Sequence, residues 1–139
     1  MDFAKKLNEL NDRLLGTLME TLEIRYTALD DACLVAEMPV GPRVHQPMGL
    51  LHGGATAALA ETLGSAYSFV HLPHPEKQAV VGQTLVAHHV RSVREGSVVG
   101  TARFLHRGKR SHVVEIRIVD ASGQLVSIVT LTNAILDLA

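Results

Sequence analysis

Leu7, Leu10, Leu14 and Leu18 recur at three- and four-residue steps with polar residues between them, which predicts an amphipathic helix ending near Gly16-Thr17. The period then changes. Leu22, Ile24, Tyr26 and Ala28 alternate with Glu23, Arg25 and Thr27, a strand pattern, and Asp30-Asp31 supplies a tight turn into a second strand at about 32–38. Pro39, Gly41, Pro42 and Pro47 mark 39–51 as a loop without regular structure, of a length that is often functional. A helix over about 53–70 follows, nearly all small or apolar, and His71-Leu72-Pro73-His74-Pro75 breaks it. From Ala79 onward the pattern is strands, at about 79–90, 97–106, 111–119 and 124–136. Turns fall at Arg94-Glu95-Gly96, Arg107-Gly108-Lys109 and Asp120-Ala121-Ser122-Gly123. Strands joined by such short turns are expected to pair antiparallel with their successors. A helix apolar on nearly every side can be satisfied only by a sheet wrapped around it. The pattern therefore predicts an α+β fold: one antiparallel sheet of about six strands around a central helix at 53–70, with an N-terminal helix.

Composition narrows the classes. The 139 residues suffice for one domain with its own core, 1–139, and 47% apolar with 19% charged residues is a globular balance. A formal charge of −1 gives no electrostatic reason to expect nucleic acid. The single cysteine, Cys33, cannot close an internal disulfide, which fits a reducing compartment. Charges scattered among the leucines of residues 1–20 are unlike a signal peptide, and no apolar run approaches the ~20 residues that span a bilayer. The expectation is a soluble, cytoplasmic protein without a membrane or nucleic-acid partner.

Candidate chemistry concentrates on the central helix. Glu61 is its only formally charged residue between Ala55 and Val70, and an acid in such a setting needs a hydrogen bond, a partner or a proton. Gly53-Gly54 at the helix start leaves backbone N–H groups free, and these, with the helix dipole, favour a carbonyl oxygen developing negative charge. Tight packing at a turn accounts for the two glycines equally well. Glu61 lies about 12 Å along the axis from Gly53 at ~1.5 Å per residue. One carbonyl cannot touch both on a single helix, so if both act on one substrate they come from two chains of a dimer. Ser65, one turn on, shares the Glu61 face, and Ala57, Ala58 and Gly64 leave room for a substrate. The plainer reading of Glu61 is a structural acid bonded to backbone or to a basic residue.

Other candidates are weaker. His71 and His74 have ligand-like spacing, but Pro73 and Pro75 argue against a helical pair, and no cysteine cluster or H-E-x-x-H is present, so no metal is expected. Neither Ser65 nor Ser68 sits in a G-x-S-x-G elbow. His88 and His89, adjacent on a strand, point to opposite faces.

The run Gln46-Pro47-Met48-Gly49-Leu50-Leu51-His52-Gly53-Gly54, followed by Ala60-Glu61-Thr62-Leu63-Gly64-Ser65, resembles the hotdog-fold acyl-CoA thioesterases of the phenylacetate-degradation type. The nearest branch holds the menaquinone-pathway 1,4-dihydroxy-2-naphthoyl-CoA thioesterase and the enterobactin proofreading thioesterase. The likeness covers nearly the whole chain, including Glu37-Met38-Pro39-Val40, Val80-Val81-Gly82 and His89-Val90-Arg91-Ser92. The resemblance implies hydrolysis of an acyl-CoA or acyl-carrier-protein thioester, aromatic or medium in size, with coenzyme A as part of the substrate and no cofactor. It implies Glu61 as nucleophile or general base and the Gly53 N–H as the group polarising the carbonyl. Gln46 and His52 would lie near the carbonyl and leaving thiol, with Ser65 orienting Glu61. Gly54, Val81, Gly82, His89, Arg91 and Ser92 would line the substrate side. Arg91, Arg107, Lys109 and Arg110 stand level between coenzyme A phosphates and a solvated rim, while Arg94 reads as rim. Relatives form homotetramers of dimers with shared sites. A hotdog hydratase or dehydratase, or a non-catalytic acyl-CoA-binding module, are the other readings; Gln46, His52, Glu61 and Ser65 together favour the hydrolase.

Overall fold

The computed structural model describes residues 1–139. Helix α1 (Phe3–Asp12) and the one-turn α2 (Leu18–Thr21) lead into strands β1 (Arg25–Leu29) and β2 (Leu34–Val40). The long helix α3 (Gly53–Val70) follows, and then β3 (Gln78–His89), β4 (Gly96–Arg107), β5 (Ser111–Val119) and β6 (Leu125–Asp137). All six strands form one antiparallel sheet, as the alternating pattern predicts, and their order is β1-β2-β4-β5-β6-β3.

Three expectations change. The leucine run is not one helix to Gly16-Thr17: α1 stops at Asp12, and Gly16 takes φ +74, a left-handed conformation that ends helical continuation. Leu10 and Leu14 are buried, while Leu18 belongs to α2 and is 60% exposed. The loop at 39–51 holds regular pieces. β2 runs on to Val40, Pro42 opens a 3₁₀ turn (Pro42–Val44) with its ready-set φ, and His45 and Leu51 form a β-bridge. Finally, β3 and β4 are not a hairpin. β3 pairs β6 at the sheet edge and β4 lies between β2 and β5, so residues 90–95 cross over instead of turning. Val93 is buried in that crossover and its carbonyl accepts from Leu51 N at 2.7 Å, while Val90 N and Arg91 N both donate to Val126 O. The crossover brings Arg91 and Ser92 beside the start of α3.

The helix seats closely on the sheet because small residues meet large ones. A Cβ on Gly64 would stand 2.6 Å from Leu131 Cδ2, and one on Gly100 would stand 2.5 Å from Leu63 Cδ1. Leu59, Leu63, Val98, Ile116, Ile118, Val129 and Leu131 are at most 1% exposed around this contact. Asn133, fully buried on β6, donates through Nδ2 to Gly64 O at 3.2 Å and Ser68 Oγ at 2.9 Å, pinning the second half of α3 to the sheet.

Candidate active site

His52 is the N-cap of α3, and its Nδ1 accepts from Gly54 N at 2.7 Å. Its carbonyl accepts from Ala55 N and Thr56 N. Among the first N–H groups of the helix, the one on Gly53 has no protein partner, and it carries the positive end of the helix dipole. Both glycines make room for imidazoles. A Cβ on Gly53 would lie 3.0 Å from His89 Nε2, and one on Gly54 would lie 2.8 Å from His52 Cε1. His89 is held from behind: its Nδ1 lies 2.9 Å from Ser127 Oγ, and Ser127 donates to His88 O at 3.2 Å. With that hydroxyl proton committed, Nδ1–H donates to Ser127 and Nε2 is turned towards Gly53. A cavity of about 310 Å³ opens here, lined by Gln46, Gly53, Thr56, His89, Arg91 and Ser92 among others. Gln46 is fixed by its own loop, its Oε1 accepting from Met48 N.

Glu61 faces a different space. A groove of about 730 Å³ runs between α3, the α1–α2 segment and β3, lined by Gly54, Ala57, Ala58, Glu61, Thr62 and Ser65 from the helix. In the single chain Glu61 is exposed, not enclosed as the apolar helix suggests, because the small residues on its face leave the groove open. Its carboxyl carbon lies 3.4 Å from where a Cβ on Gly82 would stand, next to the bulge that β3 makes between Gly82 and Thr84. Ser65 shares the groove without a hydrogen bond to Glu61. Val80 lines the groove; Val81, its neighbour on the strand, faces the other way and is 46% exposed.

The remaining arginines lie elsewhere. Arg107 donates to His71 O at 2.9 Å, with its guanidinium 5.6 Å from the Phe104 ring centroid, which places it at the C-terminal end of α3. Arg110, in the β4–β5 turn at that same end, is exposed and accepts through its carbonyl from Ile135 N. That end is a buried polar cluster. Tyr67 stacks on Phe104 and donates to Asp31 O at 2.9 Å, and His71 Nδ1 pairs with Tyr67 O at 2.9 Å. Burial pushes the imidazoles of His71 and His112 below the ordinary histidine range. His74 is exposed, and no group of three potential metal ligands gathers anywhere.

Thr56, Arg13 and Tyr26 line the cavities, and Ser127 backs His89, without having been singled out as site residues in the sequence. Ser127 and Asn133 carried a readable signal: they fall on the inward parity of Val129, Leu131 and Ile135 in β6. No comparable pattern marks Arg13.

Comparison with known proteins identifies the family. The family model described as the thioesterase superfamily matches residues 48–127. The proofreading thioesterase EntH of Cronobacter turicensis is 47% identical over 130 residues, 94% of this chain and 93% of its own. A crystal structure of a mutant thioesterase from Pseudomonas aeruginosa superposes with a TM-score of 0.92 at 40% identity, covering 95% of this chain and 94% of that one. A thioesterase from Haemophilus influenzae gives 0.90 at 35% identity, covering 95% and 91%. The chain belongs to the thioesterase superfamily and is a hydrolase of the hotdog fold.

Proposed function

We propose that this protein hydrolyses acyl-CoA or acyl-carrier-protein thioesters with an aromatic or medium-sized acyl group, at sites built by two chains. One observation carries this reading. The open Gly53 N–H and the Glu61 carboxylate stand about 12 Å apart along α3 and line separate cavities. Two half-sites become whole when the Gly53 end of one helix meets Glu61 of a second copy. The free edge of β3, with Val81 and Val86 exposed, offers the surface for that meeting, since a long unpaired edge seeks a strand.

In this reading the thioester oxygen takes the Gly53 N–H and the helix dipole stabilises the oxyanion. Glu61 of the second chain attacks the carbonyl carbon itself or takes the proton of an attacking water. In the water route the C–S bond breaks and the sulfur leaves as thiol, taking the proton that Glu61 removed from water. In the direct route the thiolate leaves and takes its proton from solvent, and water then hydrolyses the mixed anhydride to free the acid and restore Glu61. Gln46 and His52 flank the carbonyl and leaving thiol, and Ser65 turns to Glu61 once substrate fills the groove. His89, Arg91 and Ser92, with Gly54 and Gly82, line the approach, and Arg91 is the arginine nearest the carbonyl site for a coenzyme A phosphate. Arg107 and Arg110 reach coenzyme A only in a larger assembly, such as a tetramer of paired dimers. Resemblance to the enterobactin-proofreading and naphthoyl-CoA branch supports the aryl preference and a place in menaquinone synthesis, and a cytoplasmic setting suits the lone Cys33.

Co-refolding Gly53→Val with Glu61→Ala chains tests the shared site. Mixed dimers should regain part of the thiol release that each parent lacks. No recovery, with dimers formed, removes the two-chain site.

A further inference from the structure

The groove beside Glu61 has a polar far end that the hydrolytic chemistry does not use. Besides Glu61, the one formally charged residue lining it is Arg13. The Arg13 guanidinium carbon sits 4.6 Å from the centroid of the Phe69 ring and belongs to no salt bridge. Beside it is Tyr26, a residue only 4% exposed that lines the same groove. Two hydrogen bonds link the Tyr26 backbone to the Asn11 side-chain amide, both at 2.9 Å, while the Tyr26 hydroxyl has no hydrogen-bond partner in the protein and the residue lines the groove. Those two bonds also tie the end of α1 to β1 and so fix where Arg13, two residues on, reaches. Burial pushes the Tyr26 phenol above its ordinary value against the pull of Arg13, so it stays a proton donor.

The far end thus presents donors with no acceptor to receive them. A guanidinium lying on an aromatic face keeps its edge N–H groups free, and that planar edge matches a carboxylate. Phe69 lies two turns beyond Glu61 on α3, about 12 Å along the axis, the reach of an aryl or medium acyl group held between them.

We infer that Arg13 and Tyr26 recognise the far end of the acyl group and select thioesters whose acyl chain ends in a carboxylate. This rests on the acyl group lying along the Glu61 groove, as in the proposed function, and adds the chemistry at its end.

Matched pairs of thioesters test it: octanoyl-CoA against its ω-carboxyl counterpart, and phenylacetyl-CoA against its para-carboxyl counterpart, followed by free-thiol release. Wild-type protein should favour the carboxylated member of at least one pair by about tenfold in kcat/KM, the scale of a charge-assisted hydrogen bond. Arg13→Met should bring that ratio to about one, Arg13→Lys should keep part of it, and Tyr26→Phe should lower it a few-fold. The readout is a ratio, so a general loss of activity cancels. Ratios near one in the wild type, or ratios that Arg13→Met and Tyr26→Phe leave unchanged, overturn the inference alone. No release from any of the four thioesters overturns the proposed acyl-CoA substrate and this inference together.

Discussion

The imidazole of His89 lies against the first residue of α3, its Nε2 3.0 Å from the point where a Cβ on Gly53 would stand. A contact that close leaves no room for a methyl group unless the ring moves. Gly53→Ala keeps the backbone N–H and displaces the ring, so it separates the two contributions. We expect kcat/KM to fall about 10²-fold, the effect of misplacing a positioned group by a fraction of a turn or an ångström. The melting temperature should not fall, since alanine suits a helix better than glycine. Thiol-release kinetics and a thermal melt on the same sample check both halves. Ser127→Ala, which removes the hydroxyl behind His89, should lower activity in the same direction.

Glu61 is exposed in the groove and forms no salt bridge, so its charge does little for the fold. Glu61→Gln should therefore leave the urea midpoint nearly unchanged, within about 0.5 kcal/mol. It should cost at least ~10²-fold in kcat, as loss of a positioned acid–base group does. Wild-type turnover in this variant would remove Glu61 from the chemistry.

Gly64 sits in a helix interior, where alanine ordinarily gains up to about 1 kcal/mol. Here its Cβ would meet Leu131 Cδ2 at 2.6 Å and Ile116 Cδ1 at 3.3 Å, both in fully packed core. Gly64→Ala should destabilise by about 1–3 kcal/mol, the usual cost of overpacking, read from the denaturant midpoint. An unchanged or higher midpoint would mean that α3 can lift off the sheet.

Stability should decline on mild acidification. His71 and His112 are held neutral by burial, so their folded values lie below the ordinary histidine value. Between the two values the unfolded chain binds more protons, so the contribution is complete above about pH 6.5 and is lost as pH falls through the lowered values. Urea midpoints at pH 7.5, 6.5 and 5.5 should drop in that order, and His112→Gln should flatten the slope. The Asp30 and Asp120 carboxylates, held low chiefly by hydrogen bonds from the turns they cap, act in the same direction at lower pH.

Elements with strong periodicity were legible from the chain. The alternation in β5 and β6 and the uncharged length of α3 state their own boundaries to within about a residue or two, whereas the alternation from Leu22 overruns the start of β1 at Arg25, because Glu23 takes φ +58 in the turn before it. The β3–β4 crossover was not legible, because a short connection reads as a turn whether or not the strands it joins are neighbours. Only the packing of Val93 and the pairing of β3 with β6 distinguish the two. In the site, spacing alone separated Gly53 from Glu61. The exposure of Glu61 was hidden, since a helix sequence does not reveal which of its faces the sheet leaves open. Arg13 was hidden for a related reason: it is distant in sequence from Phe69 and meets it only because Asn11 docks on Tyr26.

That docking divides the labour of the chain. Asn11 bonds to the backbone of β1 as a strand residue would, so this amide, together with the buried Leu10 and Leu14, docks the N-terminal segment, which carries the outer wall of the groove in Leu10, Arg13, Leu14, Leu18 and Met19. The carbonyl end is written separately, in Gln46 to Glu61 and the crossover. On the proposed acyl path, substitutions in that wall should alter acyl selectivity while the hydrolytic apparatus stays as it is, and the N-terminal segment would then act as an exchangeable gauge for acyl length and charge.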